Sequence, residues 1–270
     1  FLSFFFLSFC VLSDISQYFT AVPRSPNRIV GGTETNVETY PYMSKVQVST
    51  FGISWSQFCG GSLITSTAVL SAAHCYFDDF RWRYRIVLGT SLASSGGTVH
   101  TINRIIMHPQ YVLETLDNDI AIVRLNNPAV FSDRIQTARI PGPNYNLDDG
   151  APVTHVGWGQ LYTGGPGPEQ LMHVHVNVIN QQLCTKRYAY LKTQPGYEDY
   201  PQVTNSMICA GILDVGGKDA CGGDSGGPLA QFGDIIVGVT SWGFECADPF
   251  YPGVSVRVSH FTDWIVANAS

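Results

Sequence analysis

From residue 30 onward the apolar positions fall in short runs rich in β-branched and aromatic residues, each ended by Gly, Pro, Asn or Asp. In the first half these runs are 45–49, 62–65, 84–88, 99–107 and 120–125; in the second they are 153–156, 172–179, 235–240 and 254–258. Short runs at turn-separated intervals predict an all-β barrel or sandwich, whereas βα units would interleave longer helical stretches. A connection rich in Pro, Gly, Asn and Asp at 141–150 divides the chain into halves of similar texture, so two β-domains are expected. The tail differs. Phe261, Trp264 and Ile265 stand at i, i+3 and i+4, which predicts an amphipathic helix with one face on the second β-domain. Residues 186–205 carry Tyr188, Tyr190, Tyr197 and Tyr200 with two prolines and a glycine, and read as a surface loop.

Composition narrows the classes. Of 270 residues 44% are apolar and 13% charged, the balance of a core-forming globular chain rather than a disordered one or a coiled coil. The formal charge of -6 is spread without long runs of one sign, so no nucleic-acid partner is expected. Residues 1–12 are apolar, too short to span a bilayer, and followed by polar residues; they read as the core of a secretory signal cut after Ser13. Position 1 is not Met and no basic segment precedes the apolar one, so the sequence reads as beginning inside that signal. No later stretch is long enough for a membrane helix, and the expectation is a secreted, extracellular protein without a membrane partner. Cysteine usage agrees: Cys10 leaves with the signal and six remain, an even number in an oxidising compartment. A structural zinc reading is disfavoured, since no cysteine pair has the usual two-to-four-residue spacing.

The densest chemistry is Gly222-Gly223-Asp224-Ser225-Gly226-Gly227-Pro228, where a serine sits among glycines that allow a tight turn and close approach of a substrate carbonyl. A bare G-x-S-x-G also fits the nucleophile elbow of α/β-hydrolases, but there the acid and histidine follow the serine. Here they precede it, in Ser71-Ala72-Ala73-His74-Cys75 and Asp117-Asn118-Asp119-Ile120-Ala121. Arg28-Ile29-Val30-Gly31-Gly32, Cys59-Gly60-Gly61-Ser62-Leu63, Gly157-Trp158-Gly159, Ser241-Trp242-Gly243 and Pro252-Gly253-Val254 stand in order around these motifs. With them the chain resembles the chymotrypsin/trypsin family from Arg28 to Ser270. The Ser-Val-Arg-Val run at 255–258 makes it most like the digestive trypsins of insects.

The resemblance implies two six-stranded antiparallel barrels with a C-terminal helix and a serine endopeptidase that needs no cofactor and no metal. His74 would be the general base, Asp119 its orienting acid and Ser225 the nucleophile, with Asp117 the competing acid. Gly223 and Ser225 would supply oxyanion-hole N–H groups. Asp219, six residues before Ser225, would hold a substrate Arg or Lys in a pocket walled by Gly243 and Gly253, with Ser241 to Gly243 pairing to the substrate backbone. Ala220, Gly222, Glu245 and Ser255 depart from the usual trypsin pattern, and losing a hydroxyl at 220 favours Arg over Lys. Arg28-Ile29 resembles an activation site: cutting there would free an Ile29 amine to pair with Asp224, making 14–28 a propeptide and 29–270 the protease domain. Removing residues 1–28 takes away Asp14, Arg24 and Arg28, so the formal charge moves from -6 to -7. The implied disulfides are Cys59–Cys75, Cys184–Cys209 and Cys221–Cys246.

Residues 90–101, matching the calcium loop of vertebrate trypsins, hold no Asp or Glu, so no calcium is expected there. Asn268-Ala269-Ser270 spells a glycosylation sequon. The remaining histidines, His155 among them, carry no signal of their own. Expected partners are protein or peptide substrates, an activating protease and protein inhibitors of proteases, with the enzyme a monomer secreted into a gut lumen. A narrow-specificity processing protease, in a cascade or in yolk breakdown, would share every catalytic residue. A catalytically silent secreted binding homologue would normally lack one.

Overall fold

Antiparallel pairing closes two six-stranded barrels, as the sequence predicts. The computed structural model describes residues 30–76 and 80–270. The signal and propeptide expected at 1–13 and 14–28, with Arg28 and Ile29, lie outside the described residues.

The first barrel is built from β2 (Met43–Val48), β3 (Ser56–Thr65), β4 (Ala68–Ser71), β5 (Tyr84–Leu88), β6 (Thr98–Met107) and β7 (Ala121–Leu125), in the closed order β2-β3-β4-β7-β6-β5. The second uses β8 (Pro152–Gly157), β9 (Met172–Ile179), β10 (Met207–Gly211), β11 (Pro228–Gln231), β12 (Ile235–Trp242) and β13 (Gly253–Arg257). Its order is β9-β10-β13-β12-β11-β8, closed by pairing of β8 with β9, and the short β1 (Thr33–Glu34) adds to β9. Among the described residues there are two α-helices, α1 (Gln181–Leu191) and α2 (Thr262–Ala269). The β12–β13 register shifts between Thr240 and Trp242, a bulge that re-aims Ser241 and Trp242 out of the regular pleat.

One apolar cluster runs through the first barrel and across the inter-barrel seam, joining Leu63, Ile122 and Val123 to Val156, Trp158, Leu171, Val239 and Val258. A second fills the other barrel with Val153, Val174, Val176, Leu229 and Val237. Each fully buried aliphatic side chain contributes about 1.5–3 kcal/mol. Hydrogen bonds stitch the seam as well. Leu171 N and Trp158 Nε1 both donate to Ser91 O, at 2.7 and 3.0 Å, and Ala93 N donates to Glu169 O at 2.7 Å. Beside them the buried Lys45 ammonium donates to Leu92 O and Ala93 O and lies 5.7 Å from the centre of the Trp158 ring. Burial lowers its pKa to about 8.

Three expectations need correction. Residues 186–205 are not simply a surface loop: α1 reaches Leu191, capped by Asn180, whose side chain accepts from Leu183 N. Cys184, Tyr188 and Leu191, at i, i+4 and i+7, form its buried stripe. And α2 packs on the first barrel, not the second. Phe261, Ile265 and Ala269 join the first cluster, Ile265 and Ala269 lie with Ile64 and Thr65 of β3, and Arg124 of β7 donates to Asn268 O. The turn after β13 carries the chain across the seam before the helix begins, so the nearest apolar surface is the neighbouring barrel. Val258, expected at the end of a strand, sits in that 3-10 turn.

Candidate active site

Each sequence motif of the site arrives from a different strand end along the seam between the barrels. His74 lies in a 3-10 turn just after β4, and Asp119 two residues before β7; β4 and β7 are hydrogen-bonded neighbours, which brings the two loops together. His74 Nδ1 lies 2.7 Å from Asp119 Oδ2, and His74 N donates to Asp119 Oδ1 at 2.8 Å. Ser241 Oγ, from the bulge of β12, donates to the same Oδ2 at 2.5 Å. Asp119 is fully buried, and three donors on a buried carboxylate are what desolvation demands. Asp117 turns away, accepting from Thr204 and Ser206 hydroxyls. The expected role of Ser241 against substrate backbone therefore has a second part, a side-chain bond to the acid.

Ser225 stands in the loop before β11. Its carbonyl accepts from Gly60 N at 2.7 Å, and Gly226 packs so tightly beneath Ser71 and Gly60 that a Cβ there would lie 2.4 Å from Ser71 Oγ. These contacts seat the loop against the turn that carries His74. Ser225 Oγ forms no hydrogen bond to the imidazole here; such bonds often tighten only with substrate in place. Gly223 adopts φ +95°, which only glycine tolerates readily, and its carbonyl accepts from Gln57 Nε2 of β3 at 2.9 Å. Gln57 went unnoticed in the sequence because it acts across the seam, with no motif around it.

Asp224 points away from Ser225 into the second barrel's wall. Its carboxylate accepts from Gly159 N at 2.7 Å and Cys221 N at 3.0 Å. Burial pushes its pKa up to about 6, and no cation among the described residues reaches it. Gly159 leaves it room: a Cβ there would lie 2.1 Å from Asp224 Oδ2.

Next to Ser225 opens a pocket of about 200 Å³ whose lining includes Asp219, Ala220, Gly222, Gly243, Glu245 and Gly253. Asp219 is buried within it, accepting from Ala220 N at 2.8 Å and Ala247 N at 3.3 Å. Burial, the largest influence, raises its pKa to about 7 against those two donors. A Cβ on Gly253 would lie 2.6 Å from Asp219 Oδ1, so any side chain there would cover the acid. Glu245 is exposed at the rim, and Asp219 N donates to Val30 O at 3.2 Å.

The tyrosines after β9 hold this pocket from behind. Tyr188 Oη donates to Pro252 O at 2.7 Å and accepts from Phe244 N at 3.2 Å. Tyr200 Oη donates to Gly243 O at 2.6 Å, occupying one side of a carbonyl expected to face substrate. With Trp242, Phe244 and Tyr251 they make one aromatic cluster. Disulfides pin the same regions: Cys59–Cys75 beside His74, Cys184–Cys209 tying α1 to β10, and Cys221–Cys246 joining the two pocket loops.

The arrangement can relay a proton from a hydroxyl to an imidazole oriented by a carboxylate, beside a pocket with a negative base. Comparison with known proteins agrees. The trypsin family model matches residues 29–265. The chain is 47% identical to "Trypsin, alkaline A" of Manduca sexta over 249 residues, covering 92% of this chain and 94% of that protein. It is 45% identical to "Trypsin CFT-1" of Choristoneura fumiferana over the same shares, and 38% identical to "Trypsin" of Phaedon cochleariae over 90% of both chains. A chain with these motifs on paired barrels, matched along nearly its whole length, belongs to the trypsin family of serine endopeptidases.

Proposed function

We propose that the chain is made as a secreted zymogen whose active form hydrolyses peptide bonds after Arg and Lys, in digestion. The observation that carries the specificity is the buried Asp219 carboxylate at the base of a pocket kept open by Gly243 and Gly253. A guanidinium or ammonium would satisfy a charge that burial otherwise penalises. Ser225 attacks the scissile carbonyl as His74 takes its proton. Asp119 holds the imidazole and stabilises its cation, and the N–H groups of Gly223 and Ser225 receive the oxyanion; His74 gives its proton to the departing amine as the C–N bond breaks, and water, deprotonated by the same imidazole, then hydrolyses the acyl ester and returns the proton to Ser225. Protein substrates follow from the family, and protein inhibitors would use the same cleft.

The zymogen reading rests on Asp224 and Val30. The buried Asp224 carboxylate has two backbone donors and no cation among the described residues, while the Val30 carbonyl already lies on Asp219 N. A cut after Arg28 would place a new amine one residue from that anchor, within the second barrel's reach. The test uses chromogenic peptides ending in Arg, Lys, Phe or Ala, with the chain before and after cutting at Arg28. Activity on Arg and Lys alone, rising at least about 10³-fold on cutting, is expected, with Arg preferred over Lys. Equal activity before and after the cut sinks the zymogen reading. Activity after neither base sinks the specificity, and a verified cut that leaves all four peptides untouched points to a narrow-specificity processing enzyme.

Asp219 also predicts a pH dependence. Its folded pKa, about 7, lies above the ordinary carboxylate value, so its ionisation costs stability as pH rises through that range, and a bound cation offsets the cost. The dissociation constant of benzamidine should therefore increase as pH falls below about 7, approaching tenfold per unit. A flat profile between pH 7 and pH 5 would show that the acid is already fully ionised there.

A further inference from the structure

His155 has no part in the triad, yet it lines the primary pocket together with Asp219, Thr240, Gly253 and Val254. It sits on β8 two residues after Val153, so both side chains leave the same face of the strand. Val153 belongs to the apolar filling of the second barrel, with Leu229 and Val237. Leu229 is also the cross-strand partner of His155. The barrel interior is thus apolar until this last layer, where it meets the pocket and turns polar.

The imidazole is 2% exposed. Its Nδ1 lies 3.1 Å from Thr240 Oγ1, on the pocket wall, while Nε2 has no hydrogen-bond partner among the described residues. Burial lowers its pKa to about 4, so the ring is neutral near neutral pH. A neutral imidazole with one nitrogen engaged offers the other as either donor or acceptor, according to tautomer. A cation in the pocket decides between them: it repels an N–H and attracts a lone pair, favouring Nδ1–H donating to Thr240 and a free acceptor at Nε2.

We propose that His155 is a specificity-determining residue that accepts, at Nε2, a hydrogen bond from the guanidinium of a bound arginine, directly or through one water. The inference rests on the reading of the pocket as a site for basic side chains. A guanidinium carries five N–H donors in a planar fork, and Asp219 has only two oxygens to receive them. The shorter lysine, with a compact ammonium, satisfies Asp219 without needing a second deep acceptor. His155 thereby adds to the preference for Arg already expected from Ala220.

The test compares the wild type with His155→Leu, His155→Gln and Thr240→Val, each cut after Arg28 and normalised by active-site titration. Substrates are amides identical except for Arg or Lys, and benzamidine is the competitive inhibitor. In His155→Leu the Arg/Lys ratio of kcat/KM should fall about tenfold and the benzamidine inhibition constant rise by a similar factor, the size of a lost hydrogen bond to a charged group. His155→Gln, which keeps an acceptor, should recover most of both, and Thr240→Val should lose part of the ratio. An unchanged ratio and inhibition constant in His155→Leu overturns the proposal. Nitrogen-15 NMR of wild-type histidines gives a readout independent of variant folding: adding benzamidine should move His155 to the Nδ1–H form, and a ring locked in the Nε2–H form overturns the proposal. A wild type that cleaves after neither Arg nor Lys instead overturns the pocket reading, and this inference with it.

Discussion

Replacing Ser225 by alanine, in chain already cut after Arg28, should lower kcat on an arginyl amide by about 10⁵- to 10⁶-fold while benzamidine binding stays within a factor of about three. His74→Ala should cost nearly as much, and the double variant little more than either single one, because nucleophile and base act as one unit. The separation of turnover from binding follows from the geometry. Asp219 takes its hydrogen bonds from Ala220 and Ala247, so the pocket floor keeps its contacts when the hydroxyl is removed. Single-turnover kinetics with a titrated inhibitor check both halves. Additive losses in the double variant, or residual turnover within about tenfold of wild type from Ser225→Ala, would remove Ser225 from the role assigned to it.

The second large effect is at Asp219. Asp219→Ala should reduce kcat/KM on Arg and Lys substrates by about 10³-fold, since removing one partner of a buried ion pair costs about 3–5 kcal/mol. Stability should move the other way. The carboxylate is buried with two backbone donors but no cation among the described residues, and burial holds its pKa at about 7, so its ionisation opposes folding above that pH and not well below the ordinary carboxylate value. The unliganded variant should therefore melt no lower than wild type at pH 8, with the difference shrinking towards pH 4. Loss of activity accompanied by a melting temperature several degrees lower at pH 8 would mean that Asp219 serves the fold more than the substrate.

How much of this the sequence discloses depends on the environment of each segment. Strands β5 and β9 are legible to the residue, and β9 for a plain reason: it alternates between the barrel interior and the outside. Strands β4, β10 and β11 escape notice because every one of their residues is buried, so no period of two survives in runs such as Ala68-Val69-Leu70-Ser71. Helix α1 hides for a related reason, since two of the three residues in its buried stripe are Cys184 and Tyr188, neither of which reads as helical apolar patterning. The amphipathic face of α2 is plain in the sequence, but a stripe does not name the surface it will cover. The same division runs through the site. His74, Asp119, Ser225, Asp219 and Asp224 are found by the motifs around them. Gln57, His155 and Tyr200 become visible only when the chain brings them to Gly223 O, to the pocket and to Gly243 O.

None of the three disulfides passes from one barrel to the other; each closes a loop within its own half. The halves of the site nonetheless come from opposite barrels, His74 and Asp119 from one, Ser225 and Asp219 from the other. Their alignment is left to the seam: the shared apolar cluster, the Ser91 carbonyl that receives both Leu171 N and Trp158 Nε1, and the Lys45 ammonium 5.7 Å from the Trp158 ring. Neither barrel can open without stripping the other of buried partners, so the two lose structure as a single cooperative unit despite being separate along the chain.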